Sequence, residues 1–301
     1  MDMLAIFGPT AIGKTGVAIE VAELLRERGE DPVAISCDAI QVYAGLEILS
    51  GAASAAEQAR LEHRLLSFVP IDGEFSAGRF ANLAHGEIDQ LVAEGRRPIL
   101  VGGTGLYMRA ALAELEMRPP LPSDVRAEVE GEVAERGSPA LHGELADELA
   151  SGVHPNDAKR VARLTALTRL GIAPHASGQG MWSEGLRHPS TLVGLVTDRD
   201  QLRKRIHARV DEMIRLGAEE EVRSADLAGA SRTARYAIGF EELLAGDVEA
   251  MKSAQWRYAR RQLTWMRKME DVHVIDRGGR SDEDVAAEVV ERLTAPAARK
   301  P

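Results

Sequence analysis

The residues most able to do chemistry lie in three short runs. Gly8-Pro-Thr-Ala-Ile-Gly-Lys14-Thr15 fits the pattern G-x-x-x-x-G-K-[ST]. Its glycines permit tight turns and its amides can point at an anion. Lys14 supplies a point charge, and the Thr15 hydroxyl can hold a magnesium ion. Ser36-Cys-Asp38-Ala-Ile-Gln41-Val-Tyr43 carries a carboxylate. Asp38 can ligate a metal, accept a proton from an attacking nitrogen, or cap a turn. Val101-Gly-Gly-Thr104-Gly-Leu-Tyr107 offers close backbone approach and the Thr104 hydroxyl, and also suits a plain strand-to-helix turn. The first run specifies a phosphate or diphosphate, not ATP in particular. An NTPase also wants an acid at the end of a second buried strand. The run from Pro98 ends in glycines instead, although Asp198 does end an apolar run, Val193–Asp198.

Rigid elements must hold these runs. Short apolar stretches at Leu4–Phe7, Val33–Ser36, Leu65–Val69, Pro98–Val101, Thr191–Thr197 and Val272–Ile275 read as strands. Amphipathic segments lie between several of them, clearest at Val17–Arg28 and Phe80–Glu94. The alternation predicts an α/β fold: a P-loop NTPase-like parallel sheet core flanked by helices. The three chemical runs then share the carboxyl edge of the sheet, where ligands of open α/β sheets bind. Pro119, Pro120 and Pro122 break the pattern, and only helical periodicity follows from Ser123 to about Leu170. This predicts a small all-helical insertion domain at 118–187 within a core of 1–117 and 188–301. After Asp200 the chain reads as almost wholly helical until the last strand, and the tail at 295–301 is expected to fray.

The composition is that of an ordinary soluble globular protein, with 45% hydrophobic and 28% charged residues among 301. The lone Cys37 excludes an intramolecular disulfide and a cysteine-cluster zinc site, and reads as a small buried strand residue. No apolar run approaches a membrane span or a signal core, so a cytoplasmic protein with no membrane partner is expected. His63, His154 and His207 are not spaced as metal ligands.

A net charge of -10 argues against indiscriminate coating of nucleic acid, but the cations are concentrated. Lys159, Arg160 and Arg163 open one helix. Arg199, Arg203, Lys204, Arg205 and Arg209 crowd a second. Arg257, Arg260, Arg261, Arg267 and Lys268 crowd a third, interleaved with Trp256, Tyr258 and Trp265. Such segments suit an RNA footprint, and they equally suit solvated helix faces with Trp265 and Tyr258 in the core.

Taken together, GPTAIGKT, SCDAIQVY and VGGTGLY resemble the tRNA dimethylallyltransferases (tRNA isopentenyltransferases). Further ordered segments resemble that family too: Glu62–Leu66, His154-Pro-Asn-Asp157 with Arg160 and Arg163, Arg205–Val210, Ala237-Ile-Gly239-Phe, and Arg261–Arg267. The match runs over about 3–276. The resemblance implies transfer of a dimethylallyl group from dimethylallyl diphosphate to N6 of adenosine 37 of tRNA, in the anticodon stem-loop, with the adenine flipped into a channel. It places the diphosphate against Gly8, Thr10, Ala11, Gly13, Lys14 and Thr15, with Mg2+ on Thr15. It makes Asp38 the general base, Thr104 a hydrogen-bonding group near the leaving oxygen, and Arg209 a diphosphate-binding arginine. Implied tRNA contacts are Asp38, Ala39, Ile40, Gln41, Thr104, Arg126, Lys159, Arg160 and Arg163. Arg235, Gly239, Arg261, Gln262, Thr264, Trp265 and Arg267 complete that set. A monomer is expected.

The sequence departs from the family at Ala39, usually Ser, and at Ser50-Gly-Ala-Ala-Ser54, which lacks a lysine and a proline. It departs again at Leu164-Thr-Ala166, which lacks a glutamate, and at Phe240, usually Tyr. Three other readings compete: a small-molecule kinase using ATP, a prenyltransferase acting on free adenine nucleotides, and a non-catalytic RNA-binding relative. The helical insertion and the Arg261–Arg267 run disfavour the second, and the intact Lys14 and Asp38 disfavour the third.

Overall fold

The computed structural model describes residues 2–115, 121–172 and 185–294. The proline run at 118–120 and the tail at 295–301 lie outside the described residues. Two compact units form: Met1–Glu114 with Gly185–Pro301, and Leu115–Glu184.

The larger unit is built on six parallel strands: β1 (Met3–Phe7), β2 (Pro32–Ser36), β3 (His63–Arg64), β4 (Arg97–Gly102), β5 (Ser190–Val196) and β6 (Val272–Asp276). They lie in the order β3-β2-β4-β1-β5-β6. β1 and β2 are buried along their whole length, which is why they read as continuous apolar runs rather than alternating ones. Helix α1 (Lys14–Glu27) buries Val17, Ala18, Ile19, Val21, Ala22 and Leu25. Burying a Val, Leu or Ile side chain contributes about 1.5–3 kcal/mol, so this one stripe anchors the helix firmly. Between β2 and β4 run α2 (Glu47–Ser50), α3 (Ala55–Arg60) and α4 (Ala77–Ala93), and α5 (Gly105–Leu112) follows β4.

The smaller unit contains α6 (Ser123–Arg136), α7 (Ser138–His142), α8 (Asp147–Ala150) and α9 (Ala158–Arg169). They share a core of Leu121, Val129, Leu141, Val161, Ala166 and Leu167. Back in the larger unit come α10 (Arg199–Arg215), α11 (Ala218–Leu227), α12 (Phe240–Leu244), α13 (Val248–Met266) and α14 (Asp282–Thr294). No helix among the described residues is long and apolar enough to cross a membrane.

Two expectations change. Leu65–Val69 is not a strand: Leu65 and Ser67 adopt left-handed backbone, at φ 57° and 47°, and an extended run cannot pass through them. Ser67, Phe68 and Val69 instead donate their amides to the Gln41 and Val42 carbonyls. Asp198 does not end a strand. β5 stops at Val196, and Asp198 caps α10, accepting the Asp200 and Gln201 amides at 3.0 and 2.9 Å. After the last strand the chain forms a further helix, α14, which packs on α1.

Candidate active site

The strand order decides where chemistry can happen. β2, β4 and β1 are consecutive in the sheet and parallel, so the loops leaving them emerge side by side at one edge. Those loops carry Asp38, Thr104 and the phosphate loop.

After Phe7 the chain turns into α1 through two left-handed positions, Ala11 at φ 64° and Gly13 at φ 92°. Turns of this kind gather successive amides into a concave nest. α1 has no side-chain cap and no acidic residue in its first turn, so its N-terminal amides are left for an anion. Lys14 Nζ folds back onto the Gly8 and Pro9 carbonyls, at 3.1 and 3.0 Å. Burial, helped by the like charge of Arg209 and opposed by Asp38, pulls the Lys14 ammonium down from its usual 10.5 to about 7. Arg209 comes from α10 and donates to the Ser50 carbonyl at 3.4 Å. Burial lowers its basicity too, against the attraction of Asp38 and Glu57.

Asp38 is fixed at both oxygens. Oδ1 accepts the Ile40 amide at 2.9 Å, and Oδ2 accepts the Thr104 hydroxyl at 3.3 Å. Thr104 occupies the residue before α5, yet its hydroxyl does not cap that helix and turns to Asp38 instead. The Tyr258 hydroxyl, from α13, lies 3.1 Å from Thr104 Oγ1. One cavity of about 950 Å³ joins these groups: Lys14, Thr15, Asp38, Thr104, Arg209 and Tyr258 line it, with apolar walls at Ile48, Leu49, Met213 and Leu216. Cations able to hold a diphosphate thus share one space with a carboxylate and an apolar surface.

Of the residues expected on the diphosphate, Thr10, Gly13, Lys14 and Thr15 line the cavity. Gly8 and Ala11 shape the loop, Gly8 through its carbonyl and Ala11 through its backbone angle. The Thr10 amide is taken by the protein itself, donating to Gln262 Oε1 at 2.8 Å. Among the described residues the Thr15 hydroxyl takes no partner from the fold around it, and a hydroxyl and a carboxylate in one cavity are the hard oxygen donors magnesium takes beside phosphate oxygens. Among the described residues no three His, Cys, Asp or Glu side chains cluster as a metal site.

Several residues expected to touch tRNA have work inside the fold. Gln262 is 3% exposed, and its Nε2 donates to the Gly103 carbonyl at 2.9 Å, so it brackets two loops. Gln41 accepts the Ser36 hydroxyl at 2.8 Å and donates to the Gly51 carbonyl at 3.1 Å. Arg235 pairs with Asp226 and with Glu241 at 3.0 Å, and lies over the Phe240 ring. Gly239 is buried, at φ 103°, against Leu49 and Met251. Trp265 packs over Gly105, and the exposed Thr264 bonds back to the Arg260 carbonyl at 3.0 Å. Arg261 lines the cavity over the Tyr258 ring, Arg267 is exposed at the end of α13, and Ala39 and Ile40 line the cavity beside Asp38. In the smaller unit, Lys159 and Arg160 are exposed, Arg160 within 3.4 Å of Asp157. Arg163 is half-buried, and Arg126 donates to the Leu121 carbonyl at 3.2 Å.

Sequence reasoning took Tyr258 only as an RNA-facing or core aromatic, and it missed Glu221. Gln255, Tyr258 and Gln262 recur at three- and four-residue spacing on one face of α13 and all line the cavity, and that polar stripe was the available signal. Glu221 accepts the Ile48 and Leu49 amides at 2.8 and 2.7 Å, capping α2 from another helix, and no local signal announces it. Burial raises its carboxyl above the usual range.

Comparison with known proteins places the chain in a family. Residues 41–269 match the family model for IPP transferase. The chain is 35% identical to the tRNA dimethylallyltransferase of Acetivibrio thermocellus, covering 92% of each chain. It is 38% identical to that of Exiguobacterium sibiricum, covering 94% of this chain and 92% of the relative. Among solved structures, the tRNA isopentenylpyrophosphate transferase of Bacillus halodurans superposes with a TM-score of 0.69 at 30% identity, covering 97% of this chain and 96% of its own. A eukaryotic dimethylallyltransferase acting on tRNA shares the fold, with a TM-score of 0.74 at 21% identity. The chain belongs to the IPP transferase family.

Proposed function

We propose that this chain transfers a dimethylallyl group from dimethylallyl diphosphate to N6 of adenosine 37 in the anticodon loop of tRNA, releasing diphosphate. The observation that carries this reading is the shared cavity, which Lys14 and Arg209 line together with the hydrogen-bonded Asp38–Thr104 pair. The N6–C1 bond forms as the C1–O bond of the donor breaks. The leaving diphosphate keeps the electron pair, and the N6 proton passes to Asp38. An exocyclic amine is a weak nucleophile, so stabilising the charge on the leaving group matters most, and two preorganised cations supply that. Thr15 would hold a magnesium ion, whose chemistry when bound is to neutralise diphosphate oxygens. The apolar walls suit the five-carbon group and exclude water from its allylic carbon. Exposed cations on the smaller unit, Lys159 and Arg160, suit the phosphates of an RNA stem. An adenine in a single-stranded loop leaves its stack at little cost.

The test is incubation with unmodified anticodon stem-loop RNA, dimethylallyl diphosphate and magnesium, without ATP, followed by mass spectrometry of the nucleosides. Prenylated adenosine is expected, lost when adenosine 37 is replaced or magnesium is chelated. Product from free AMP alone, or phosphate transfer on adding ATP, would overturn the reading.

A further inference from the structure

Thr104 Oγ1 has three polar neighbours: Asp38 Oδ2 at 3.3 Å, the Ala39 amide at 3.4 Å and Tyr258 Oη at 3.1 Å. A threonine hydroxyl carries one proton and two lone pairs. An ionised carboxylate only accepts, and a backbone N–H only donates. Thr104 therefore donates to Asp38 and accepts from Ala39, and its second lone pair takes the Tyr258 proton. The directions are fixed by counting: Tyr258 to Thr104 to Asp38. We propose that Tyr258 is a positioning residue for the transfer reaction, whose O–H pins the Thr104 rotor so that the single Thr104 proton holds Asp38 in its proton-accepting orientation.

The inference rests on the prenyl-transfer reading above. Asp38 Oδ1 is already held by the Ile40 amide, so the Thr104 bond removes the remaining freedom of the carboxylate. Tyr258 is itself well placed to act as a post. Gln262, one turn further along α13, ties that helix to Thr10 and Gly103. The Arg261 guanidinium lies 5.6 Å from the Tyr258 ring centre. Burial keeps the phenol protonated well above its ordinary range, so it donates throughout turnover and does not carry the proton away. A donated bond into Thr104 also strengthens the bond Thr104 donates onward.

Tyr258→Phe keeps the ring and removes one hydroxyl. The expected result for transfer to an anticodon stem-loop is a fall in kcat of about tenfold, the scale of one hydrogen bond. KM for both substrates stays within about twofold and the thermal midpoint falls by no more than the few degrees one hydrogen bond is worth, a split that marks lost transition-state stabilisation with substrate binding kept. In a Thr104→Val background, adding Tyr258→Phe lowers kcat by less than about twofold, because the rotor it pins is gone. Equal losses in both backgrounds, a loss confined to KM, or no loss beside an active wild type would overturn the inference. A wild-type chain that transfers nothing overturns the prenyl-transfer reading itself, and this inference with it.

Discussion

The side-chain oxygen of Gln262 accepts the Thr10 amide at 2.8 Å, across 252 residues of sequence. The other end of the same amide donates to the Gly103 carbonyl at 2.9 Å. One buried side chain thus sets the spacing between the phosphate loop and the loop that carries Thr104. Gly103 has no room for more, since a Cβ there would come within 2.2 Å of Gln262 Nε2.

Gln262→Leu should cost stability and binding together. It leaves a donor and an acceptor unpaired, at about 1–3 kcal/mol each. Urea denaturation should show a loss of that order, and diphosphate affinity should fall even where the protein remains folded. A variant of wild-type stability with unaltered affinity would remove Gln262 from this role.

The lowered Lys14 value makes binding pH-dependent. The unliganded group sits at about 7, so at pH 8 it is mostly neutral. A diphosphate anion restores its charge, so binding at pH 8 should take up close to one proton, and none at this group at pH 6. Calorimetry in buffers of different ionisation heat reads this directly, with Lys14→Met showing no such uptake. Stability follows the same sign. The folded value lies below the unfolded one, so between about 7 and 10.5 the unfolded chain binds more protons. The Lys14 contribution to unliganded stability should therefore rise with pH through that window.

Gly51 is required by a neighbour as well as by its backbone. Its φ is 59°, and a Cβ there would overlap Arg209 Nη2. The arginine head can swing aside, so Gly51→Ala should displace Arg209 rather than unfold the protein. A stability loss of about 1 kcal/mol is expected from the left-handed backbone, with a larger fall in diphosphate affinity. Affinity equal to wild type would show that Arg209 does not reach the ligand.

Arg277 and Asp282 pair at 2.6 Å beneath the start of α1, with Arg277 packed against Gly13. Asp282→Ala leaves a buried guanidinium without its partner and should destabilise by about 3 kcal/mol. Arg277→Met should restore much of that loss in the double variant, because it removes the charge as well. Both are read by thermal and urea unfolding.

Runs such as Leu4–Phe7 and Pro98–Val101 were legible because a strand buried on both faces is apolar throughout and ends at turn residues. Leu65–Val69 is also mostly apolar, but only Val69 is buried, and the segment's amides pair with the turn at Gln41–Ala44, which only the tertiary structure reveals. α14 went unread although Val285, Val289 and Leu293 recur every four residues after an acidic first turn. At the site, the three loops were legible because each needs special residues at fixed local spacing. The bonds that Gln41 and Gln262 make inside the fold were not, and both were expected only as tRNA contacts, because an amide that brackets two chain segments looks, in sequence, like one that faces solvent. At Ala39 the bond to Thr104 comes from the backbone amide, which a change of side chain leaves in place.

The most direct test of the account is Asp38→Asn, assayed for prenylated adenosine on an anticodon stem-loop and, separately, for diphosphate binding. The account predicts diphosphate binding within a few-fold of wild type and a loss of turnover of about 100-fold or more, the scale of a lost general base. Turnover near the wild-type rate would contradict it.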